Sequence, residues 1–233
     1  MAPATESMRD RILAAAIEVI RGRGIVAATT KEIARAAGVS EGSLYNHFAN
    51  KTALFAAALG EVTSGARAAM AELLGAAGQG TVEANLTRLA ARMTAFYAEL
   101  LPMTGPVLAD PDLIAWLRAD GPAEEQGEPA RPGGAAAGPV LGHAALIGYL
   151  EAEQRAGRLR PDAAPPYLAA ALLGGCQQHA FLTRLAGPAT VADGARLPAD
   201  PAEFAAGLVR AVLAGAVPAG TGPAGTGPAR TGP

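Results

Sequence analysis

The sequence is poor in aromatic residues, which make up 4% of its 233 positions, and it has a single cysteine, Cys176. Strands favour aromatic and β-branched side chains, so this shortage argues against a β-sandwich or a β-barrel. One cysteine excludes an internal disulfide scaffold. Uninterrupted apolar runs stay below the roughly 18 residues of a membrane span, and no apolar segment follows a basic N-terminus. We therefore expect a protein of the reducing cytoplasm.

Alanine is abundant, at roughly a quarter of the chain, and it is the best helix former. The composition therefore predicts an all-α fold. The net charge of −2 by itself argues weakly against nucleic acid as a partner. Residues 8–52, however, carry an excess of three positive charges, and the remainder is acidic. This uneven distribution indicates two functional regions.

Residues able to cap helices recur in the first part of the chain. They predict helices that start after Ser7, Thr29, Ser40 and Asn50 and end near Gly22, Gly38, Phe48 and Leu74. Gly38 can supply the left-handed conformation of a sharp turn between the second and third helices.

Helical periodicity continues through most of the remaining chain. Helices are predicted over 81–101, where Pro102 interrupts, then over 110–119, 139–157, 165–186 and 201–216. Residues 121–138 and 187–200 are predicted to be loops, and the tail 217–233, with its near-repeat of AGTGP, is predicted to be disordered.

The segment 29–51 reads TTKEIARAAGVSEGSLYNHFANK, which predicts a helix-turn-helix whose second helix can enter the major groove. Ala-Gly-Val-Ser followed by Gly42, Leu44-Tyr45, His47-Phe48 and Lys51 resembles the tetracycline-repressor-like (TetR) family of transcriptional regulators. The resemblance extends over about residues 8–60. It implies an N-terminal helix-turn-helix DNA-binding domain, residues 1–52, and a helical effector-binding and dimerisation domain, residues 53–216.

Candidate DNA contacts lie at the predicted helix starts and on the third helix, because helix N-termini and hydroxyls bind phosphate. They are Thr29, Thr30, Lys31, Ser40, Glu41, Gly42, Ser43, Tyr45, Asn46, His47 and Lys51. The resemblance implies phosphate contacts for Tyr45, His47 and Lys51. Lys31 can reach a guanine edge, Asn46 an adenine, and Glu41 at most a cytosine amino group.

Some of these residues have simpler interpretations. Tyr45 could instead cover the core between the first and third helices. Leu44 and Phe48 are expected in the core, and the arginines of the first helix on a solvated face.

The resemblance further implies a homodimer formed by the helices near 139–157 and 165–186. It implies repression at a palindromic operator and release by an unknown small-molecule effector; activation stays open. Candidate pocket residues are Met93, Phe96, Tyr97, Met103, Leu113, Trp116, Leu117, Tyr149 and His179, although each could equally be plain core.

Two alternatives belong to other classes of protein. One is a helical protein-interaction module without DNA binding. The other is an enzyme, in which Cys176 and His179 share a helix face and His143 assists. A zinc site needs more ligands at matched spacing, no P-loop sequence occurs, and Gly22-Arg-Gly24 lacks the third glycine and the preceding strand of a dinucleotide-binding site. We therefore predict no enzyme activity, catalytic residue, metal or cofactor.

Overall fold

The computed structural model describes residues 7–104, 114, 137–214, 216 and 217, and all regular secondary structure there is helical. The helices are α1 (Met8–Arg23), α2 (Thr30–Ala37), α3 (Glu41–Tyr45), α4 (Lys51–Gly75), α5 (Val82–Thr104), α6 (Ala137–Arg155), α7 (Pro165–Ala186), α8 (Pro188–Thr190) and α9 (Pro201–Leu213). The predicted all-α fold class is confirmed. Among the described helices, none has the length and apolar character required to cross a membrane.

Several predictions fall on residues that the structure does not describe. These are the helix over 110–119 apart from Ile114, the loop up to residue 136, and the tail from residue 218. The last two residues of the predicted 121–138 loop belong to α6 instead, which starts at Ala137.

Capping side chains begin the first helices as predicted. Ser7 Oγ accepts from the N–H of Asp10 at 3.2 Å, and Thr29 Oγ1 accepts from the N–H of Glu32 at 3.2 Å. Each acidic side chain bonds back to the capping residue, so α1 and α2 both start with a capping box. Asn50 caps α4 with one hydrogen bond, in which its Oδ1 accepts from the N–H of Ala53 at 2.8 Å.

The turn between α2 and α3 uses the conformational freedom of glycine, since Gly38 has a φ of 68° in the left-handed region. The third helix ends at Tyr45, three residues before the predicted end at Phe48. The chain turns there because Phe48 enters the core and Asn50 must adopt an extended conformation, with a φ of −159°, to cap α4.

We define the head as α1, α2, α3 and the turns of α4 up to Ala58. Its buried side chains are Ile12, Leu13, Ala16, Ile20, Ala28, Ile33, Ala34, Leu44, Phe48, Leu54, Phe55 and Ala58, joined by Met103 from the end of α5. The expectation that Leu44 and Phe48 belong to the core is confirmed. Three short helices thus acquire a common apolar core that fixes the orientation of α3.

We define the body as the rest of α4 with α5, α6, α7, α8 and α9. In it α5 packs against α7 and α9, and α4 packs against α5 and α6. Because α4 contributes Leu54 to the head core and Met70 and Leu73 to the body core, one helix belongs to both units. The predicted boundary after residue 52 falls in the first turn of this shared helix.

A buried ion pair ties two turns of the body together. The carboxylate of Glu153, which is wholly buried, accepts from Arg158 Nε at 2.5 Å and Nη2 at 2.6 Å, and from the N–H of Gly78 at 3.1 Å. Arg158 also donates to the carbonyl of Gly80 at 2.8 Å. Burial raises the pKa of the Glu153 carboxyl, but the hydrogen bonds from Arg158 and Gly78 outweigh it, and the net pKa is lowered.

The structure also differs from the predicted end of α5 and from the predicted loop over 187–200. Helix α5 continues through Pro102 to Thr104. The proline lies in the last turn, where few backbone bonds remain to be lost, and Thr104 Oγ1 donates to the carbonyl of Leu100 at 3.1 Å. The predicted loop 187–200 contains α8 and a π-helical turn over Val191–Ala195, which the buried side chain of Val191 anchors to the body.

Candidate nucleic-acid interface

The helix starts of the head carry the candidate phosphate-binding groups, and several of these groups are already engaged. Ser40 Oγ accepts from the N–H of Ser43 at 3.1 Å. Thr29 Oγ1 accepts from the backbone of Glu32 and donates to its carboxylate at 3.0 Å. That hydrogen bond from Thr29, together with the nearby guanidinium of Arg23, keeps the pKa of the Glu32 carboxyl below its ordinary value. The first role of these hydroxyls is therefore to start helices.

A chain of three side chains links α2 to α3. The hydroxyl of Tyr45 donates to Thr30 Oγ1 at 3.4 Å, and Thr30 Oγ1 donates to Glu41 Oε1 at 2.9 Å. Tyr45 is 45% exposed and does not belong to the buried head core. The sequence predicts each of these residues as a separate DNA contact, whereas the structure brings them together.

The exposed side of α3 follows from what it buries. Leu44 and Phe48 face the head core, which leaves Gly42, Asn46 and His47 exposed to solvent. A Cβ on Gly42 would meet only Ser40 Oγ, at 3.9 Å, so no packing within the head requires a glycine there. Lys31 is likewise exposed, on α2.

Two cations at this end of the head lie over aromatic rings. Lys51 Nζ is 5.0 Å from the ring centroid of Phe55, and the guanidinium carbon of Arg9 is 5.1 Å from that of Phe48. Such contacts fix cations near the start of α4. The sequence singles out Lys51 but places Arg9 on a general solvated face, because no local pattern connects Arg9 with a ring 39 positions further along.

The candidate effector pocket is only partly covered by the described residues. Met93, Tyr149 and His179 are buried in the body, with Phe96 and Tyr97 partly buried against the same core. Met103 lies in the head core instead. Leu113, Trp116 and Leu117 lie outside the described residues.

The tyrosines of this set are in apolar surroundings. Burial raises the pKa of Tyr97 and of Tyr149 to about 12 in each case. The hydroxyl of Tyr149 accepts from Asn85 Nδ2 at 3.0 Å. Tyr149 is thus a hydrogen-bonded core residue in this structure.

Among the candidate pocket residues that the structure describes, His179 has a buried ring nitrogen without a hydrogen-bond partner. Its Nε2 lies 2.9 Å from the carbonyl oxygen of Pro198, which only accepts, so in the neutral imidazole Nε2 carries the proton and Nδ1 is left as an acceptor. Its ring stacks on Phe204 with centroids 3.9 Å apart. Within the described residues, Nδ1 and the Thr183 hydroxyl one turn on are buried without a hydrogen-bond partner.

A groove of about 350 Å³ lies elsewhere, between α1 and α2 of the head. Glu18, Arg23, Glu32 and Arg35 contribute charges to its lining. Arg23 Nη1 already pairs with Glu32 Oε1 at 2.5 Å. We attribute this groove to helix packing and not to effector binding.

The cysteine and histidines do not gather into a site. Cys176 is buried and its Sγ lies 3.5 Å from the carbonyl of Ala90, and burial raises its thiol pKa to about 11. His179 bonds to Pro198, and His143 Nδ1 lies 3.0 Å from the carbonyl of Pro139. Among the residues that the structure describes, no three potential metal ligands are grouped.

An apolar face of α7 remains uncovered in the single chain. Tyr167, Phe181 and Leu185 are 80%, 50% and 72% exposed, although the opposite side of the helix is buried. Val140 and Leu141 at the start of α6 are also exposed. These are the two helices for which the sequence predicts dimerisation.

Comparison with known proteins identifies the head. Residues 12–58 match the family model described as bacterial regulatory proteins of the tetR family. A search of the curated proteins finds no match.

Solved structures share the fold of nearly the whole chain. SmeT, the repressor of the Stenotrophomonas maltophilia multidrug efflux pump SmeDEF, is similar with a TM-score of 0.63 and 20% identity, over 99% of this chain and 98% of that one. A TetR transcriptional regulator from Chloroflexus aurantiacus J-10-FL has a TM-score of 0.62 and 20% identity, over 90% and 96%. FadR from Bacillus subtilis, in complex with stearoyl-CoA, has a TM-score of 0.57 and 16% identity, over 88% and 97%. At such low identities the likeness establishes the fold alone.

Proposed function

We propose that this chain, which belongs to the tetR family of DNA-binding transcriptional regulators, is a repressor that binds a palindromic operator as a homodimer and is released by a small molecule. We place its action in the cytoplasm, and the site residues below are part of the same proposal. The observation that carries it is the exposed apolar face of α7.

The face of α7 fits a second copy of the same chain. Tyr167, Phe181 and Leu185 recur at helical spacing on one side, with Ala170 and Gly174 between them, also exposed. Small residues let two helices approach closely, while the larger ones supply apolar area. A two-fold dimer would bury this face against itself and hold two heads at the spacing of two half-sites.

The head supplies the contacts with the DNA backbone. Lys51, fixed over Phe55 at the start of α4, and His47, exposed after α3, lie where the family resemblance implies phosphate contacts. We assign Arg9 to the same surface because its guanidinium lies over Phe48 in the turn between α3 and α4. Phosphate contacts position the protein, and α3 reads the bases.

The effector site belongs in the body, around His179. An unpartnered buried acceptor costs free energy, and a ligand that brings a hydroxyl or N–H group to Nδ1 would recover it. If the ligand binds more tightly to the arrangement in which the two heads do not fit the operator half-sites, its binding lowers the affinity of the protein for the operator. Among proteins of the same fold, SmeT is described as a repressor and FadR as a complex with stearoyl-CoA. Both descriptions are consistent with the proposal of a repressor that binds a small molecule.

The dimer is tested by placing charge on the α7 face. The double change Phe181→Glu and Leu185→Glu should convert a dimer into a monomer in light scattering. It should weaken binding to a two-half-site duplex by roughly a hundredfold, because the linkage between heads is lost. Val26→Glu, at another exposed apolar residue but on the head, is the control and should remain dimeric. Wild-type protein that is monomeric on DNA would refute the proposal.

The effector site is tested by native mass spectrometry of protein purified from its own cells. His179→Phe preserves a ring that can stack on Phe204 but removes Nδ1, together with the Nε2 hydrogen bond to Pro198. We expect a small-molecule adduct on the wild type and its loss from the variant. An adduct retained at equal occupancy by the variant would show that His179 is not part of the effector site.

Repression is tested by deletion of the gene. The deletion should raise transcription from the bound promoter, whereas deletion of an activator would lower it.

A further inference from the structure

The carboxylate of Glu41 is held in place at the front of α3. Glu41 is the first residue of that helix and is exposed. Its Oε1 accepts from Thr30 Oγ1 at 2.9 Å, and Thr30 in turn accepts from the hydroxyl of Tyr45 at 3.4 Å. A long acidic side chain that would otherwise move freely in solvent is therefore oriented by Thr30, whose hydroxyl is itself hydrogen-bonded to Tyr45.

An oriented carboxylate has restricted partners on DNA. It only accepts hydrogen bonds, and the nearby phosphates repel it. In the major groove, cytosine offers its N4 amino donor, whereas adenine places the N7 acceptor beside its N6 amino donor. Guanine presents two acceptors and thymine one. Cytosine is therefore the base whose edge matches a carboxylate best.

We propose that Glu41 reads the amino group of a cytosine in each operator half-site, and that Thr30 is the residue that positions it. The proposal rests on the dimeric operator binding proposed above, and it assigns Thr30 a role different from the phosphate contact predicted from sequence. The hydrogen of the Thr30 hydroxyl is directed to Glu41, so this hydroxyl has none left for a phosphate oxygen.

Repulsion makes Glu41 a selective reader. At a site without a donor opposite the carboxylate, the charge is brought close to phosphates and loses water without any new hydrogen bond. At the matching cytosine, a charge-assisted hydrogen bond offsets that cost. Glu41 therefore contributes more to rejection of wrong sequences than to overall affinity.

Selection from a randomised duplex library tests the assignment. Wild-type protein should enrich a two-fold motif with cytosine at one symmetric pair of positions. Glu41→Gln should shift that pair to adenine, since glutamine matches adenine N6 and N7, and leave the other positions unchanged. We expect cytosine to be preferred over adenine by roughly tenfold in the wild type and adenine over cytosine in the variant. Glu61→Gln, an exposed carboxylate on α4, is the control and should select the wild-type motif.

Thr30→Val tests the positioning role, because valine has nearly the shape of threonine without its hydroxyl. It should reduce the cytosine preference several-fold while leaving the salt dependence of binding unchanged. A uniform loss of affinity with a flatter salt slope would instead make Thr30 a phosphate contact and overturn its positioning role.

Outcomes at Glu41 separate this inference from the proposed function. If Glu41→Gln and Glu41→Ala both select the same two-fold motif as the wild type at every position, the proposal that Glu41 recognises cytosine is overturned. The operator proposal is not affected by that result. A wild-type selection without a two-fold motif would refute the operator proposal and this inference with it.

Discussion

The guanidinium of Arg21 on α1 donates to the carboxylate of Glu99 on α5 at 3.0 Å, which joins the head to the body. One turn further along α5, Met103 is buried in the head core. The two contacts differ in energy. Both members of the ion pair are partly exposed, so the pair contributes less than about 1 kcal/mol.

The first prediction concerns this joint. Met103→Ala should lower the free energy of unfolding by about 2–5 kcal/mol, because it leaves a cavity in the head core. Glu99→Gln should lower it by less than about 1 kcal/mol. Urea unfolding followed by circular dichroism measures both. If Glu99→Gln proved the more damaging change, electrostatics and not packing would hold the head to the body.

The second prediction concerns Lys51. Lys51→Met keeps an unbranched side chain over Phe55 but removes the charge. It should weaken binding to all duplexes about equally and flatten the slope of log affinity against log salt by roughly one unit. Arg67→Met on the same helix is the control, since Arg67 donates to the carbonyl of Gly60 within α4. A loss confined to one operator sequence would contradict the phosphate role.

The third prediction concerns the buried ion pair. Glu153→Ala should lower the free energy of unfolding by about 1–3 kcal/mol, because it removes the carboxylate partner of Arg158, whose side chain is 28% exposed, and of the Gly78 N–H. The pKa of Glu153 is lowered on folding, so its stabilisation is complete above the ordinary value of 4.5 and is lost as the pH falls through the lower folded-state pKa. The stability difference between wild type and variant should therefore shrink in acid. Glu151→Ala, which removes an exposed carboxylate from the same helix, is the control for the loss of an acidic side chain.

The fourth prediction concerns Cys176. Burial raises its thiol pKa to about 11, so near neutral pH the thiol is protonated and shielded. A thiol reagent should label the native protein only as fast as it opens, and should label it completely in denaturant. Since the sequence has one cysteine, the signal has one source. Rapid labelling of the folded protein would contradict this prediction and would show that the Cys176 thiol is accessible and reactive.

Local features of the fold were predictable from the sequence because they depend on neighbouring residues. The caps at Ser7, Thr29 and Asn50, the left-handed Gly38 and the limits of α7 all have the predicted positions. Each is set within a few residues of chain, by a side chain that bonds to the next turn or by a residue that cannot continue a helix.

Contacts between distant segments were not predictable in the same way. The Thr30–Glu41 bond spans 11 positions, and the bond from Gly78 to Glu153 spans 75. The sequence predicts Met103 as a pocket residue, yet the direction of α5 carries it into the head core. In each case the partner depends on how helices pack, which periodicity within one helix does not specify.

The central claim is that two chains bind one two-fold operator, and the mass of the protein–DNA complex tests it most directly. The duplex selected by the wild-type protein should bind two chains, or an even number, with half-sites whose centres are about one helical turn or a multiple of it apart. Light scattering of the purified complex gives the number of chains. One chain on an asymmetric site would contradict the account.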